Sequence, residues 1–281
     1  MPALLTSRAT RLIIGKGIPG NDRRPERVWN GAMITLKSKR EIQIMRDASR
    51  IVAEILDELR RNCRAGILTR ELDKIAEERT VQRGAEPAFK GYRGYPGALC
   101  TSINHQVVHG IPGNYEVKEG DIVSLDFGVL YKGYFGDAAL TVPIGKIDAE
   151  TEKLLRVTEE CLYLGIDQMV PEHHLSDLSR AIQIHAESHG FSLVKEFGGH
   201  GIGRHLHEDP VVLNYVVNGR GIKLRPGLVL AIEPMVNMGT DHVRILSDGW
   251  TVVTLDGKPS AHFEHTVAIT ENGPEILTKL A

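Results

Sequence analysis

The sequence predicts a mixed α/β (α+β) protein of two pseudo-symmetric halves, and three observations predict it. The stretch Gly120 to Thr141 reads as two strands around a tight reversal. Segments before and between the strands carry apolar residues at helical spacing. The second half of the chain repeats the first at a nearly constant offset.

Residues 1–32 read differently from the rest. Arg8, Arg11, Lys16, Arg23, Arg24 and Arg27 face only Asp22 and Glu26, and no periodic apolar face is present. This predicts a flexible basic extension, with the folded part as a single unit over 33–281 and pseudo-repeats at about 38–145 and 148–277. Leu12-Ile13-Ile14 is far too short for the apolar region of a signal peptide.

Ser38-Lys39-Arg40-Glu41 is a capping box, and Ile42, Met45, Ile51, Val52, Ile55, Leu56 and Leu59 follow at helical spacing. A second helix starts at Thr69, carries Leu72, Ile75 and Ala76, and ends at Gly84. An aromatic, Gly-rich loop (89–97) and a strand near 99–104 lead to His109-Gly110-Ile111-Pro112. In the central hairpin Ile122, Ser124 and Asp126 alternate with Val123, Leu125 and Phe127. With Tyr131 and Lys132 as a two-residue loop, and no bulge at Gly133, Asp126 stands directly opposite Asp137. Like charges opposed in a sheet are destabilising, so the pair calls for a shared proton or a cation.

Leu178 precedes Gly190 by the twelve residues that separate Leu72 from Gly84, and Glu233 follows Gly227 by the six that separate Asp126 from Gly120. The offset is 106 at the helices and 107 at the strands. Symmetric packing would bring Asp126 and Glu233 together near a pseudo-axis.

Three further segments carry metal-binding side chains: Gly199-His200-Gly201, Ile232-Glu233-Pro234 and Phe263-Glu264-His265. The glycines at 199, 201 and 203 have the wrong spacing for a dinucleotide fingerprint. Asp126, Asp137, Glu233 and Glu264 with His200 make four carboxylates and one imidazole, a set whose charge balances two divalent cations. Two such ions can activate a water and polarise a carbonyl for attack.

The chain has 281 residues and a net charge of −2 with both signs interspersed, which gives no footprint of nucleic-acid binding. No apolar run reaches membrane-spanning length. Cys63, Cys100 and Cys161 have no metal or disulfide spacing, which fits free thiols in a reducing cytoplasm.

The motifs His109-Gly110-Ile111-Pro112, Asp126 with Asp137, Gly199 to Arg204 followed by His207, Glu233-Pro234-Met235, Asp248-Gly249-Trp250-Thr251 and Phe263-Glu264-His265-Thr266 together resemble the type I methionine aminopeptidases of bacteria. The resemblance runs from about Ser38 to Leu277. It implies the pita-bread fold, two halves around a central curved antiparallel sheet, and removal of the initiator methionine when the second residue is small. It implies two divalent ions per chain (Co, Mn, Fe or Zn), with Asp126 and Asp137 on one, His200 and Glu233 on the other, and Asp137 and Glu264 bridging. Glu233 would be the general base, and His109 and His207 would contact substrate. Tyr92, Tyr95, Cys100, Phe197 and Trp250 match the methionine pocket. Phe89 and Leu206 depart from the pattern, where relatives often have Cys and Phe, and so bear on pocket size. The implied partners are nascent N-termini at the ribosome, with neither nucleic acid nor membrane, and the implied state is a cytoplasmic monomer. Two other readings of the same fold are an Xaa-Pro dipeptidase, which usually carries a large N-terminal domain, and a non-catalytic ribosome-associated protein, which would have lost ligands.

Overall fold

The structure, a computed structural model, describes residues 34–280. The basic extension expected over 1–32 lies outside the described residues. The first half runs α1 (Lys39–Asn62), α2 (Thr69–Gln82), β1 (Glu86–Pro87), β2 (Cys100–Ile103), β3 (Gln106–Val108), β4 (Ile122–Tyr131) and β5 (Tyr134–Pro143). The second runs α3 (Ala149–Asp167), α4 (Leu175–Ser188), β6 (Ser192–Leu193), β7 (Gly199–Gly201), β8 (Glu208–Val212) and β9 (Val229–Ile232). It ends with β10 (Met235–Asn237), β11 (Val243–Ile245), β12 (Val252–Thr254), β13 (Ser260–His262), β14 (Glu264–Thr270) and β15 (Gly273–Ile276).

The capping box forms as the sequence requires: Ser38 Oγ accepts from the Glu41 amide while the Glu41 carboxylate accepts from the Ser38 amide. The helix then buries Ile42, Met45, Val52, Ile55, Leu56 and Leu59 on one face. Each large apolar side chain so buried contributes about 1.5–3 kcal/mol. Gly84 and Gly190, both at positive φ, follow the ends of α2 and α4, and Leu72 and Leu178 are fully buried in those helices.

The main sheet has the order β1-β4-β5-β14-β9-β7-β8, with β2 on β4 and β15 on β14, and every pairing is antiparallel. Its centre is two antiparallel pairs, the β4-β5 hairpin and the β9-β14 pair, joined through β5 and β14. One apolar core joins α1 and α2 to Val123, Leu125, Phe127 and Val129 of β4. A second joins α3 and α4 to Leu230 and Ile232 of β9 and Val267 and Ile269 of β14. Because side chains alternate along a strand, the residues between these apolar ones are left on the sheet face opposite the helices.

Helix and sheet meet closely at Gly136, where an added Cβ would lie 2.9 Å from the Ser49 backbone of α1. Gly136→Ala is expected to cost about 1–3 kcal/mol through overpacking, read from urea denaturation. Gly113→Ala, with open space around its Cβ, is the control and should stay within about 0.5 kcal/mol. Equal stability of the two variants would mean that α1 moves off β5 at little cost.

Candidate metal centre and active site

The turn of the β4-β5 hairpin consists of Lys132 and Gly133, at φ 49° and 79°. Positive φ at both central residues is the two-residue hairpin geometry that matches strand twist. Tyr131 therefore pairs with Tyr134, and the expected register is corrected: Asp126 faces Ala139, and Asp137 faces Gly128. The displacement is two residues, one full side-chain period, so the two acids remain on one face as a diagonal pair. Glycine at 128 leaves room for Asp137, whose Oδ1 would lie 3.1 Å from a Cβ there.

From the other half, Glu264 opens β14 opposite Ala139, and His200 on β7 pairs with Ala231, two residues before Glu233. Atoms of Asp137, His200 and Glu264 lie within 4.8 Å of one another. His200 Nε2 is 3.5 Å from Glu233 Oε1. Asp126 and Glu233 lie close enough for their charges to act on each other, as the offset anticipated.

Burial lifts Asp126 to about 7. Burial and then the neighbouring carboxylates raise Asp137, Glu233 and Glu264 well above the ordinary range. Buried Oδ1 of Asp126, Oδ1 of Asp137 and Oε1 of Glu264 have no hydrogen-bond partner. Burial also holds His200 down at about 4, so its imidazole is neutral. Its Nδ1–H donates to the Gly201 carbonyl at 2.9 Å, which leaves the Nε2 lone pair aimed inward. Unpartnered carboxylate oxygens, mutual repulsion and an oriented neutral imidazole form a donor set that fits hard or borderline divalent cations.

His109 stands at φ 60°, a conformation rare outside glycine. Phe197 and Trp250 meet its ring edge to face at 5.7 and 6.3 Å. Burial lowers it to about 4, again a neutral imidazole. His207 lies with its ring 4.1 Å from that of His200 and its Nδ1 2.9 Å from the Tyr92 hydroxyl. Tyr92, Tyr95, Cys100 and Trp250 share one apolar cluster with Phe89, Ile202 and Leu206. Phe197 belongs to a different cluster and reaches this one through His109.

Sequence reasoning missed three contributors. His262 is buried, neither ring nitrogen has a partner, and its Nε2 lies 3.9 Å from Glu233 and 4.0 Å from Glu264. Its spacing of two from Glu264 was the available signal. Lys37 reaches Glu208 at 2.8 Å in a buried ion pair, and Glu208 in turn accepts from the Arg204 and His205 amides, fixing the loop that carries His207. Thr266 Oγ1 bonds both the amide and the carbonyl of Asp137. No local pattern marks either role.

Carboxylates raised on folding retain protons that the unfolded chain releases near pH 4, so their contribution to stability is lost as pH rises through about 7 and beyond. The buried histidines act oppositely, but only below their unfolded value of about 6.5. Chelated protein is therefore expected to lose thermal stability between about pH 7 and pH 8.5, and saturating Mn²⁺ should flatten the slope. A flat profile for chelated protein in differential scanning fluorimetry would contradict the charge clustering.

Residues 43–271 match the model of metallopeptidase family M24. Methionine aminopeptidase of Clostridium perfringens is 56% identical, over 88% of this chain and 99% of the relative. The crystal structure of methionine aminopeptidase from Thermotoga maritima superimposes with a TM-score of 0.86 at 47% identity, over 88% of this chain and all of that one. Prolidase from Pyrococcus furiosus, at 24% identity and a TM-score of 0.71 over 88% of this chain and 66% of its own, shares the fold. The chain belongs to metallopeptidase family M24 and, within it, to the type I methionine aminopeptidases with the pita-bread fold.

Proposed function

We propose that the carboxylate and imidazole cluster removes the N-terminal methionine of nascent proteins whose second residue is small, using two divalent ions. The observation that carries this reading is the convergence of Asp137, His200 and Glu264 within 4.8 Å, with Glu233 3.5 Å from His200. Asp126 with Asp137 would hold one ion, His200 with Glu233 the other, and Asp137 and Glu264 would bridge. When bound, such a pair supplies Lewis acidity, activating a water and polarising the scissile carbonyl.

The chain's own residues do the rest. Glu233, at the end of β9, accepts the proton of the attacking water on its carboxylate and delivers it to the leaving amine. Neutral His109 donates a hydrogen bond toward the scissile amide as charge develops, a bond stronger in the transition state than in the ground state. The Tyr92 hydroxyl and the ring of His200 orient His207 against the substrate backbone. Tyr92, Tyr95, Cys100 and Trp250, with Phe197 at the margin, form an apolar slot for an unbranched thioether side chain. Burial raises the Cys100 thiol, so it packs as an apolar group and is no nucleophile. Substrates are chain N-termini emerging at the ribosome, and the enzyme works as a cytoplasmic monomer. No helix among the described residues is long and apolar enough to cross a membrane.

Release of methionine from Met-Ala-Ser by Mn²⁺-loaded protein tests the reading. Cleavage of Xaa-Pro dipeptides in its place would support a prolidase, and no hydrolysis of either would support a binding protein.

Glu233→Gln should lower kcat about 10²-fold or more at saturating Mn²⁺, and near wild-type turnover would remove the base role. His109→Ala should lower kcat and kcat/KM together by roughly 10²–10⁴-fold with unchanged metal stoichiometry in calorimetry. Loss of one bound ion would make His109 a ligand. Phe89, buried within the slot cluster, should keep the pocket narrow: norleucine is accepted, and Phe-Ala-Ser is cleaved far more slowly than Met-Ala-Ser. Comparable kcat/KM values for those two peptides would mean that the ring leaves the slot open.

A further inference from the structure

We propose that Glu160, His185 and His189 form a second cation site, on the outer side of the α3-α4 pair, for a nitrogen-preferring divalent transition metal such as Zn²⁺, Ni²⁺ or Cu²⁺. His185 lies in the last turn of α4, and His189, four residues on, is the residue that caps the helix end. Their ring centroids are 4.5 Å apart. Across the helix interface Glu160 of α3 places Oε2 2.8 Å from His185 Nε2. One potential ligand atom from each of the three lies within 4.8 Å of the others, and all three side chains are half-buried.

The local hydrogen bonds prepare this arrangement. The His189 Nδ1–H donates to the His185 carbonyl at 2.9 Å, which fixes the tautomer and leaves the Nε2 lone pair for a ligand. His200 is oriented by the same device in the catalytic cluster. Arg156 engages Glu160 through Oε1 at 2.8 Å, leaving Oε2 as the ligand oxygen. The last turn of α4 also presents the negative end of its dipole, which favours a cation there. Zinc takes such donors at about 2.0–2.2 Å, so the side chains must draw together by an ångström or so. The ion would replace the His185 to Glu160 hydrogen bond: the His185 Nε2 proton passes to Nδ1 or to solvent, and both groups then bind the ion with positions left for water.

The two sites differ in chemistry and in place. The catalytic set is four carboxylates and one imidazole on the sheet face turned from the helices, whereas this one is two imidazoles and one carboxylate on the helices themselves. Two nitrogens favour Cu²⁺, Ni²⁺ and Zn²⁺ over Mn²⁺. An ion here would clamp the helices that pack behind β9 and β14, and binding only to the folded chain raises its stability.

The test is Zn²⁺ calorimetry on the full-length protein beside a His185→Gln/His189→Gln double variant, both loaded with Mn²⁺ beforehand. The expected result is one Zn²⁺ equivalent fewer in the variant, with Met-Ala-Ser turnover under Mn²⁺ unchanged. Glu160→Gln, which keeps both histidines, should weaken that same equivalent at least tenfold and serves if the double variant fails to fold. Equal Zn²⁺ stoichiometry and affinity across the folded proteins would overturn the proposal.

Discussion

Four carboxylates converge on one buried sheet face, and most of the structure around them exists to hold that unfavourable arrangement. Burial raises all four, neighbouring charges raise Asp137, Glu233 and Glu264 further, and three of the buried oxygens have no protein partner. An isolated buried charge costs several kcal/mol, so the cluster needs either protons or cations to offset it. The fold resists relaxation by building the site on strands, where a side chain cannot turn away without a change of register.

The pseudo-symmetric halves supply the rigid frame. Each places a helix pair and an apolar core on one side of its strands and so drives the intervening acids to the other. The β5 to β14 junction has only two ladder pairs, Ala139 with Glu264 and Ala138 with His265. Threonines extend it at both ends. Thr266 bonds the backbone of Asp137, and Thr141 bonds both the amide and the carbonyl of His262. Side-chain hydroxyls thus fix the distance between the two halves where the acids meet.

The entrance is built differently, from loops pinned by single polar contacts. The Tyr95 hydroxyl and the Thr101 amide hold the Gly110 carbonyl, and the Gly110 amide donates to Ser102, setting the turn that carries His109. Lys37 and Glu208 do the same for His207. A buried pair of this kind is costly to break, since removing one partner strands the other charge. His109 and His207 are therefore held by polar contacts within their own loops, whereas the acids beneath them are held by the sheet.

The sequence by itself determined the helix starts, because capping is local, and the paired halves, because a constant offset survives in the chain. It placed Asp126 and Asp137 on one face of the hairpin, since strand alternation fixes a face whenever the neighbours are apolar. Membership of the family was legible in the order and spacing of its motifs. Only the tertiary structure decided the hairpin register, because the choice between Tyr131-Lys132 and Lys132-Gly133 as the turn depends on which residues adopt positive φ within a twisted sheet. It alone brought in His262, Thr266 and the Lys37 to Glu208 pair, whose partners lie up to 171 positions away. It alone set Phe197 apart from the cluster of Tyr92, Tyr95 and Trp250, because neighbours in space across two clusters leave no trace in local pattern.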